Sequence, residues 1–341
     1  MTKNMAAVMY EVGDVRLEER PMPKPGPHEV LVQVTAVGVC GSDVHYYRHG
    51  RIGSFVVERP IILGHESAGV IVELGSEARK HRIGARVALE PGVPCGRCEV
   101  CRSGHYNLCP HVQFFATPPI DGAFTNFVTI HEDFAFALPN GMSDEAGGLL
   151  EPMSVGIWAA KKADIQCGQH VLITGAGPIG MVSMMAAFAF GATEVTMTDI
   201  SEERLAFARK LGATHTINVA STPLLDEAIE VDAFIECSGN PSALQDGIRC
   251  IRPAGRAAVV GMGGGDEASV PLSLIQTREI TLAGVFRYAN TYPTAIELVS
   301  SGKVNLDALV TGRYSLAETD AVLRQFGKEP ANVKPVILPQ E

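Results

Sequence analysis

Residues 171–199 read VLITGAGPIGMVSMMAAFAFGATEVTMTD, and this stretch decides the fold. Val171–Thr174 is a short apolar run of the kind that forms a buried strand. It runs straight into Gly175-Ala-Gly177-Pro-Ile179-Gly180. Each glycine has its own task at such a strand-to-helix turn. Gly175 makes the tight turn, Gly177 lets the backbone approach a pyrophosphate, and Gly180 lets the helix pack close to the strand. The helix expected over Gly180–Phe190 would aim free amide groups and partial positive charge at phosphates. A second strand, Glu194–Thr198, then ends at Asp199, nineteen residues after Gly180 and near the ~20-residue spacing at which an acid meets a ribose. A bare G-x-G-x-x-G is common in ordinary turns; here strand, helix and acid occur together. Asp199 should accept hydrogen bonds from the adenosine ribose hydroxyls and repel a 2′-phosphate, which favours NAD over NADP. Arg204 has two readings, a phosphate contact and a solvated helix charge.

Outward from this stretch the alternation continues. A helix is expected over Ser201–Leu211, and strands over Thr216–Asn218, Ala233–Glu236, Ala257–Val260 and Ile280–Gly284. Strand-helix alternation predicts an α/β fold with a doubly wound parallel sheet, the Rossmann arrangement. Before it, up to Met153, the chain is rich in Gly, Pro and alternating valine and shows no convincing helix. Strands are expected at Glu29–Val39, Ile61–Leu63, Val70–Leu74, Arg86–Leu89, Phe124–Ile130 and Ala135–Leu138, giving a mainly-β, barrel-like lobe. After it come two helical stretches, Pro293–Ser300 and Leu316–Phe326, and a strand, Val333–Leu338. The resulting domains are 1–153, 154–287 and 288–341.

Composition excludes several function classes. At 341 residues and 46% apolar, the chain can build two cores. Lys and Arg number 28 against 38 Asp and Glu, a net charge of −10, and no basic run exceeds two residues, which argues against a nucleic-acid partner. The apolar stretch Met181–Phe190 is too short to span a membrane, and the N-terminal residues carry no signal-type segment. A cytoplasmic address with reduced thiols is therefore the expectation.

The eight cysteines are unevenly placed. Cys95, Cys98, Cys101 and Cys109 follow the spacing x2-x2-x7, which suits four thiolates around one tetrahedral Zn²⁺ at ~2.3 Å per bond. Such a closed shell is structural. An iron–sulfur cluster is the rival, although bacterial ferredoxin runs place three residues, not seven, before the last cysteine. Cys167, Cys237 and Cys250 read as small core residues. A second donor set is assembled from distant segments: Cys40, in Gly38-Val-Cys-Gly-Ser-Asp-Val-His45, His65 and Glu66, which follow Gly64, and Glu151 in an apolar context. A thiolate, an imidazole and a carboxylate would leave a fourth position open, as a catalytic zinc requires. The alternatives are a satisfied core histidine and a solvated glutamate.

At these residues the chain resembles the zinc-dependent medium-chain alcohol dehydrogenases over essentially its whole length. That implies a GroES-like catalytic lobe, a Rossmann insert and a C-terminal return. Within the family it is most similar to the polyol branch, through Cys40-Gly-Ser-Asp-Val-His-Tyr46, Phe115-Ala-Thr-Pro-Pro-Ile-Asp-Gly122, Leu150-Glu-Pro-Met-Ser-Val155 and Gly284-Val-Phe-Arg-Tyr288.

The resemblance implies that Cys40 and His65 hold a catalytic zinc, with Glu66 or Glu151 as third ligand. Glu66 is favoured, and Glu151 then contacts the bound water or substrate. In the ordinary alcohol dehydrogenase branch a cysteine stands at Glu151. All four loop cysteines are present, so two zincs per chain are expected. Zinc there acts as a Lewis acid toward a hydroxyl, and NAD takes up hydride. Ser42 and His45 would relay the proton, with Glu151 as a second route. Tyr46, Phe115, Thr117, Arg287 and Tyr288 are implied substrate contacts, Arg287 supplying fixed donors to vicinal hydroxyls. Ile179, Gly261, Met262, Val285 and Arg287 are implied cofactor contacts. The expected activity is oxidation of a polyol secondary hydroxyl, with a homotetramer implied by the family. The rivals are a threonine or simple secondary-alcohol dehydrogenase on the same scaffold, and a non-catalytic NAD-binding sensor.

Overall fold

The structure, a computed structural model, describes residues 3–263 and 267–341. The chain divides into two compact units, Met1–Glu151 together with Tyr292–Glu341, and Pro152–Thr291.

In the second unit six strands form one sheet. Their spatial order is His215–Asn218, Glu194–Asp199, His170–Thr174, Val231–Glu236, Ile251–Val259, Thr281–Gly284, and every neighbouring pair is parallel. In chain order this is 3-2-1-4-5-6, so the winding reverses between the 170–174 and 231–236 strands, where such sheets bind ligands. The helix Pro178–Ala189 begins with a proline in its first turn, where a missing N–H costs nothing. The helix Glu202–Lys210 is capped by Ser201, whose hydroxyl accepts from the Arg204 amide at 3.3 Å. Leu172, Phe234, Ile248 and Ala257, all fully buried, lie in this unit's core.

In the first unit the strand Glu29–Gly38 is central. It pairs antiparallel with Glu66–Leu74 along its length, with Phe127–His131 over its first half, and with Pro335–Leu338 at Val37 and Gly38. Arg86–Leu89 and Ala135–Ala137 extend the sheet on one side, and Gly312–Ser315 on the other. The C-terminal segment thus completes the sheet begun at residue 29. A hairpin of Asn4–Glu11 and Asp14–Arg20, not foreseen from the sequence, makes a second small sheet with Ile61–Ile62.

The expectation of no helix before Met153 is corrected. Gly41–His49 is a helix, as are the short Glu99–Arg102 and Asp144–Gly148. Gly41–His49 has almost no apolar periodicity to reveal it. A capping box holds its start instead, the Asp43 carboxylate accepting from the Cys40 amide at 3.0 Å, and Gly50 in the left-handed region (φ 69°) ends it. Cys167 is exposed rather than a core residue, because it sits in the turn ahead of the 170–174 strand; Cys250 is buried. Among the described residues no helix is long and apolar enough to cross a membrane.

Candidate metal and cofactor sites

Two groups among the described residues bring ligand atoms within 4.8 Å of one another: Cys40, His65 and Glu66, and the four cysteines Cys95, Cys98, Cys101 and Cys109. The first lies where two segments converge. Cys40 caps the Gly41–His49 helix, and Glu66 opens the Glu66–Leu74 strand with His65 just ahead of it. Gly64, at φ +86°, makes the turn that presents His65. Its amide donates to Asp43 Oδ1 at 2.9 Å, and the same oxygen stands 3.5 Å from His65 Nδ1. Asp43 is fully buried and orients the histidine from behind, as carboxylates do behind metal-binding imidazoles. Phe114 packs beside the ring, its centroid 5.9 Å away.

Charge at this point is concentrated. Glu66 and Asp43 are fully buried and Glu151 is 5% exposed. Against them stands Lys334, itself 1% exposed, whose ammonium lies 2.6 Å from both Glu66 oxygens and donates to Oε1 and to the Val39 carbonyl (3.1 Å). Only the Oε1 contact has hydrogen-bond geometry, so buried Oε2 accepts none. Burial opposes charge on His65 and on Lys334. In both, neighbouring anions outweigh it and hold the pKa above the ordinary value: Asp43 and Cys40 for His65, Glu66, Cys40 and Glu151 for Lys334. A thiol, an imidazole and an unsatisfied carboxylate oxygen in a buried negative field fit a divalent cation. Glu151, in the first turn of the helix Leu150–Lys162, is not part of this donor group.

Ser42 and His45 stand on the Gly41–His49 helix, the first half-buried and the second exposed. Tyr46 is buried in the first unit's core, and Phe115 packs on its edge. Thr117 follows Ala116, which has positive φ (56°). Arg287 and Tyr288 belong to the second unit. Arg287 lies over the Phe286 ring at 4.9 Å, and Tyr288 is buried.

In the cysteine loop, Cys98 Sγ lies 3.3 Å from Cys101 Sγ and 3.9 Å from Cys109 Sγ, and Cys95 Sγ lies 4.0 Å from Cys101 Sγ. Four sulfurs on a tetrahedral zinc are about 3.8 Å apart. Backbone amides of Cys95 and His111 donate to Cys109 Sγ, each at 3.4 Å. Amides of Arg97 and Cys98 hold the Cys95 thiol down to about 6, whereas burial and the neighbouring thiols push Cys101 up to about 12. Thiols crowded in this way suit a shared cation, and none of the eight cysteines is in a disulfide.

In the second unit a cavity of 540 Å³ is lined by Gly175, Gly177, Asp199, Arg204, Cys237 and Asn240 among others. Gly175 has φ +88°, and a Cβ on Gly180 would meet the Gly175 carbonyl at 1.9 Å, so both need glycine. A Cβ on Gly177 would meet nothing within 4 Å, leaving the backbone open to a ligand. Asp199 has a second task the sequence did not reveal: Oδ2 accepts from the Ala176 amide (2.8 Å) and Oδ1 from the Ser201 amide (2.9 Å). Ile179, Gly261, Met262 and Val285 do not line this cavity, and Met262 is 72% exposed.

Two further carboxylates escaped the sequence reading. Glu236 ends its strand and accepts from the Ser238 (2.7 Å) and Gly239 (2.9 Å) amides, shaping the turn beside the cavity. Glu90 is 2% exposed and accepts from the Tyr106 hydroxyl at 2.6 Å. Burial pushes Glu90 up to about 7, the Tyr106 bond working against this and the charge of Glu151 with it. Position at the end of a strand is the one sequence signal either offered.

Two family models match the chain, the alcohol dehydrogenase GroES-like domain over residues 26–140 and the zinc-binding dehydrogenase over 178–301. The sorbitol dehydrogenase of Bacillus subtilis (strain 168) is 47% identical over 333 residues, 95% of this chain and 94% of that one. Bovine and Arabidopsis thaliana proteins of the same name match at 44% and 41%. Among solved structures, an Escherichia coli dehydrogenase of unknown specificity superposes with a TM-score of 0.94 at 37% identity, covering 99% of each chain. A Sinorhizobium meliloti 1021 protein described as a zinc-binding dehydrogenase, bound to NADP, gives 0.91 at 28%, covering 99% of this chain and 100% of that one.

Proposed function

The chain belongs to the zinc-dependent medium-chain dehydrogenases, in the sorbitol dehydrogenase branch, and on that premise we propose that it oxidises a secondary hydroxyl of a polyol to the ketone with NAD as acceptor. The observation that carries this reading is the buried meeting of Cys40, His65 and Glu66 beside Asp43 and Lys334.

The overall step moves a hydride from the carbinol carbon to the nicotinamide and releases the hydroxyl proton. Cys40, His65 and Glu66 would hold a zinc ion, which would supply Lewis acidity that makes a hydroxyl easier to deprotonate. The protein's own residues do the rest. Asp43 fixes the orientation of His65. Lys334 anchors one oxygen of Glu66 and leaves the other without a hydrogen bond. Ser42 and His45, on the adjoining helix, offer the proton a way out, and Glu151 offers a second. The four thiols of Cys95, Cys98, Cys101 and Cys109 would hold a structural zinc. In the cavity beside Gly175–Gly180, the carboxylate of Asp199 favours ribose hydroxyls over a 2′-phosphate, hence NAD over NADP. Arg287 supplies planar donors for polyol hydroxyls.

The test is reduced-nicotinamide formation with NAD or NADP and a panel of sorbitol, xylitol, 2-propanol and L-threonine, before and after chelation. Chelator-sensitive turnover of a polyol with NAD is expected. Turnover of threonine or 2-propanol alone would move the chain to another substrate class on this scaffold, and no turnover with zinc bound would leave a binding protein.

A further inference from the structure

We propose that His45 and His49 form a third metal site, on the surface, for a tetragonal divalent ion of the nickel(II) or copper(II) kind, and that filling it takes His45 out of the proton route. The inhibition rests on the function proposed above; the binding does not.

The two histidines are four residues apart on the Gly41–His49 helix, one turn along the same face. Both are exposed. Their ring centroids stand 4.6 Å apart with the planes inclined at 54°. An imidazole nitrogen binds such ions at about 2.0–2.1 Å, which sets the ring centre about 3.2 Å from the ion. Two rings at a right angle about one ion then have centres about 4.5 Å apart, and two at the tetrahedral angle about 5.2 Å. The observed spacing lets both rings reach one ion, and two imidazoles completed by water oxygens suit a tetragonal ion of the copper(II) or nickel(II) kind.

The pair is also prepared chemically and mechanically. Partial desolvation, and then the charge of His49, hold the His45 pKa below its ordinary value. A neutral ring is the form that binds metal. The helix beneath is firmly held: the capping box at Cys40 starts it, the Gly50 amide closes on the Tyr46 carbonyl at 2.7 Å, and buried Tyr46 and Tyr47 anchor its inner face. Little order remains to be imposed when an ion arrives. The neighbouring cation, Arg48, gives its Nη2 to the Phe326 carbonyl at 2.6 Å. Solvent completes the coordination.

The experiment titrates nickel(II) chloride into the untagged, zinc-loaded protein, following heat of binding and turnover, in the wild type, His45→Gln and His49→Gln. One nickel per chain beyond the zinc is expected, its affinity falling about tenfold or more in either variant. Nickel should inhibit the wild type, while His49→Gln, with ordinary basal turnover, resists it. Nickel binding to His49→Gln as tight as to the wild type would overturn the site. Binding that needs both histidines yet leaves turnover untouched would keep the site and remove His45 from the proton route.

Discussion

The two zinc-type donor sets are opposites in construction. The cysteine loop draws four identical ligands from fifteen consecutive residues, Cys95–Cys109, and none but Cys109 is buried. The Cys40–His65–Glu66 set draws three different ligands from two separate segments, adds Asp43 and Lys334 behind them, and buries all but Cys40. A closed, local, all-sulfur site can be exposed because a cation held there would do no chemistry and would need no dry surroundings. An open site must be walled by the fold, since polarising a substrate depends on keeping water and stray charge away. On the function proposed above, the loop's ligands would act on stability and the buried set on rate.

The sharpest break of that comparison is a pair of single substitutions. Cys40→Ala should lower kcat by about 1,000-fold or more with little change in Tm, since a Lewis acid is worth several kcal/mol of barrier. Cys98→Ser should do the reverse, lowering Tm by on the order of 10 °C while the protein that stays folded keeps most of its kcat. Equal effects of both on kcat, measured below the lower Tm, would erase the distinction.

Glu90 probes the border between the two, since Tyr106, from the cysteine loop, donates to it and Glu151 raises its pKa. Its folded pKa of about 7 lies above the ordinary 4.5, so the folded state holds the extra proton between those values. The stability this contributes is present below about pH 4.5 and lost as pH rises through about 7, by up to about 3 kcal/mol. Glu90→Gln should flatten that part of the profile in denaturant unfolding at stepped pH; an unchanged slope would remove Glu90 as its source.

A smaller effect is expected at Asp199. Asp199→Ser should cut the NAD-to-NADP ratio of kcat/KM by about tenfold, and should weaken both cofactors, because the same carboxylate also holds the Ala176 and Ser201 amides. A ratio that does not move would leave Asp199 a purely structural acid. Smallest is Arg287→Met, expected to raise KM for a polyol about fivefold at roughly constant kcat, the signature of lost uniform binding.

What the sequence made legible follows the same division. The stretch 171–199 announced the parallel sheet because its signals are local: a strand, three glycines and an acid within one βαβ unit. The cysteine loop was legible for the same reason. The Gly41–His49 helix was not, because its start is held by Cys40 and Asp43 rather than by a serine or threonine, and its apolar residues follow no helical period. Lys334 and Asp43 gave no signal either. A lysine in Asn-Val-Lys-Pro and an aspartate beside a serine are ordinary surface residues by type. Their importance comes from pairing across 268 residues in one case and 21 in the other.

The 268-residue separation bears on how the chain is made. Pro152–Thr291 is one unbroken stretch and can fold as it leaves the ribosome, at some 5–20 residues per second. The other unit is split around it, and its central sheet lacks the Pro335–Leu338 strand, and Glu66 its buried ammonium partner, until synthesis has passed the whole of Pro152–Thr291. For that interval Glu66 is a carboxylate without its counter-charge. The Cys40–His65–Glu66 site therefore gains its lysine only after the unit between the two halves has been made.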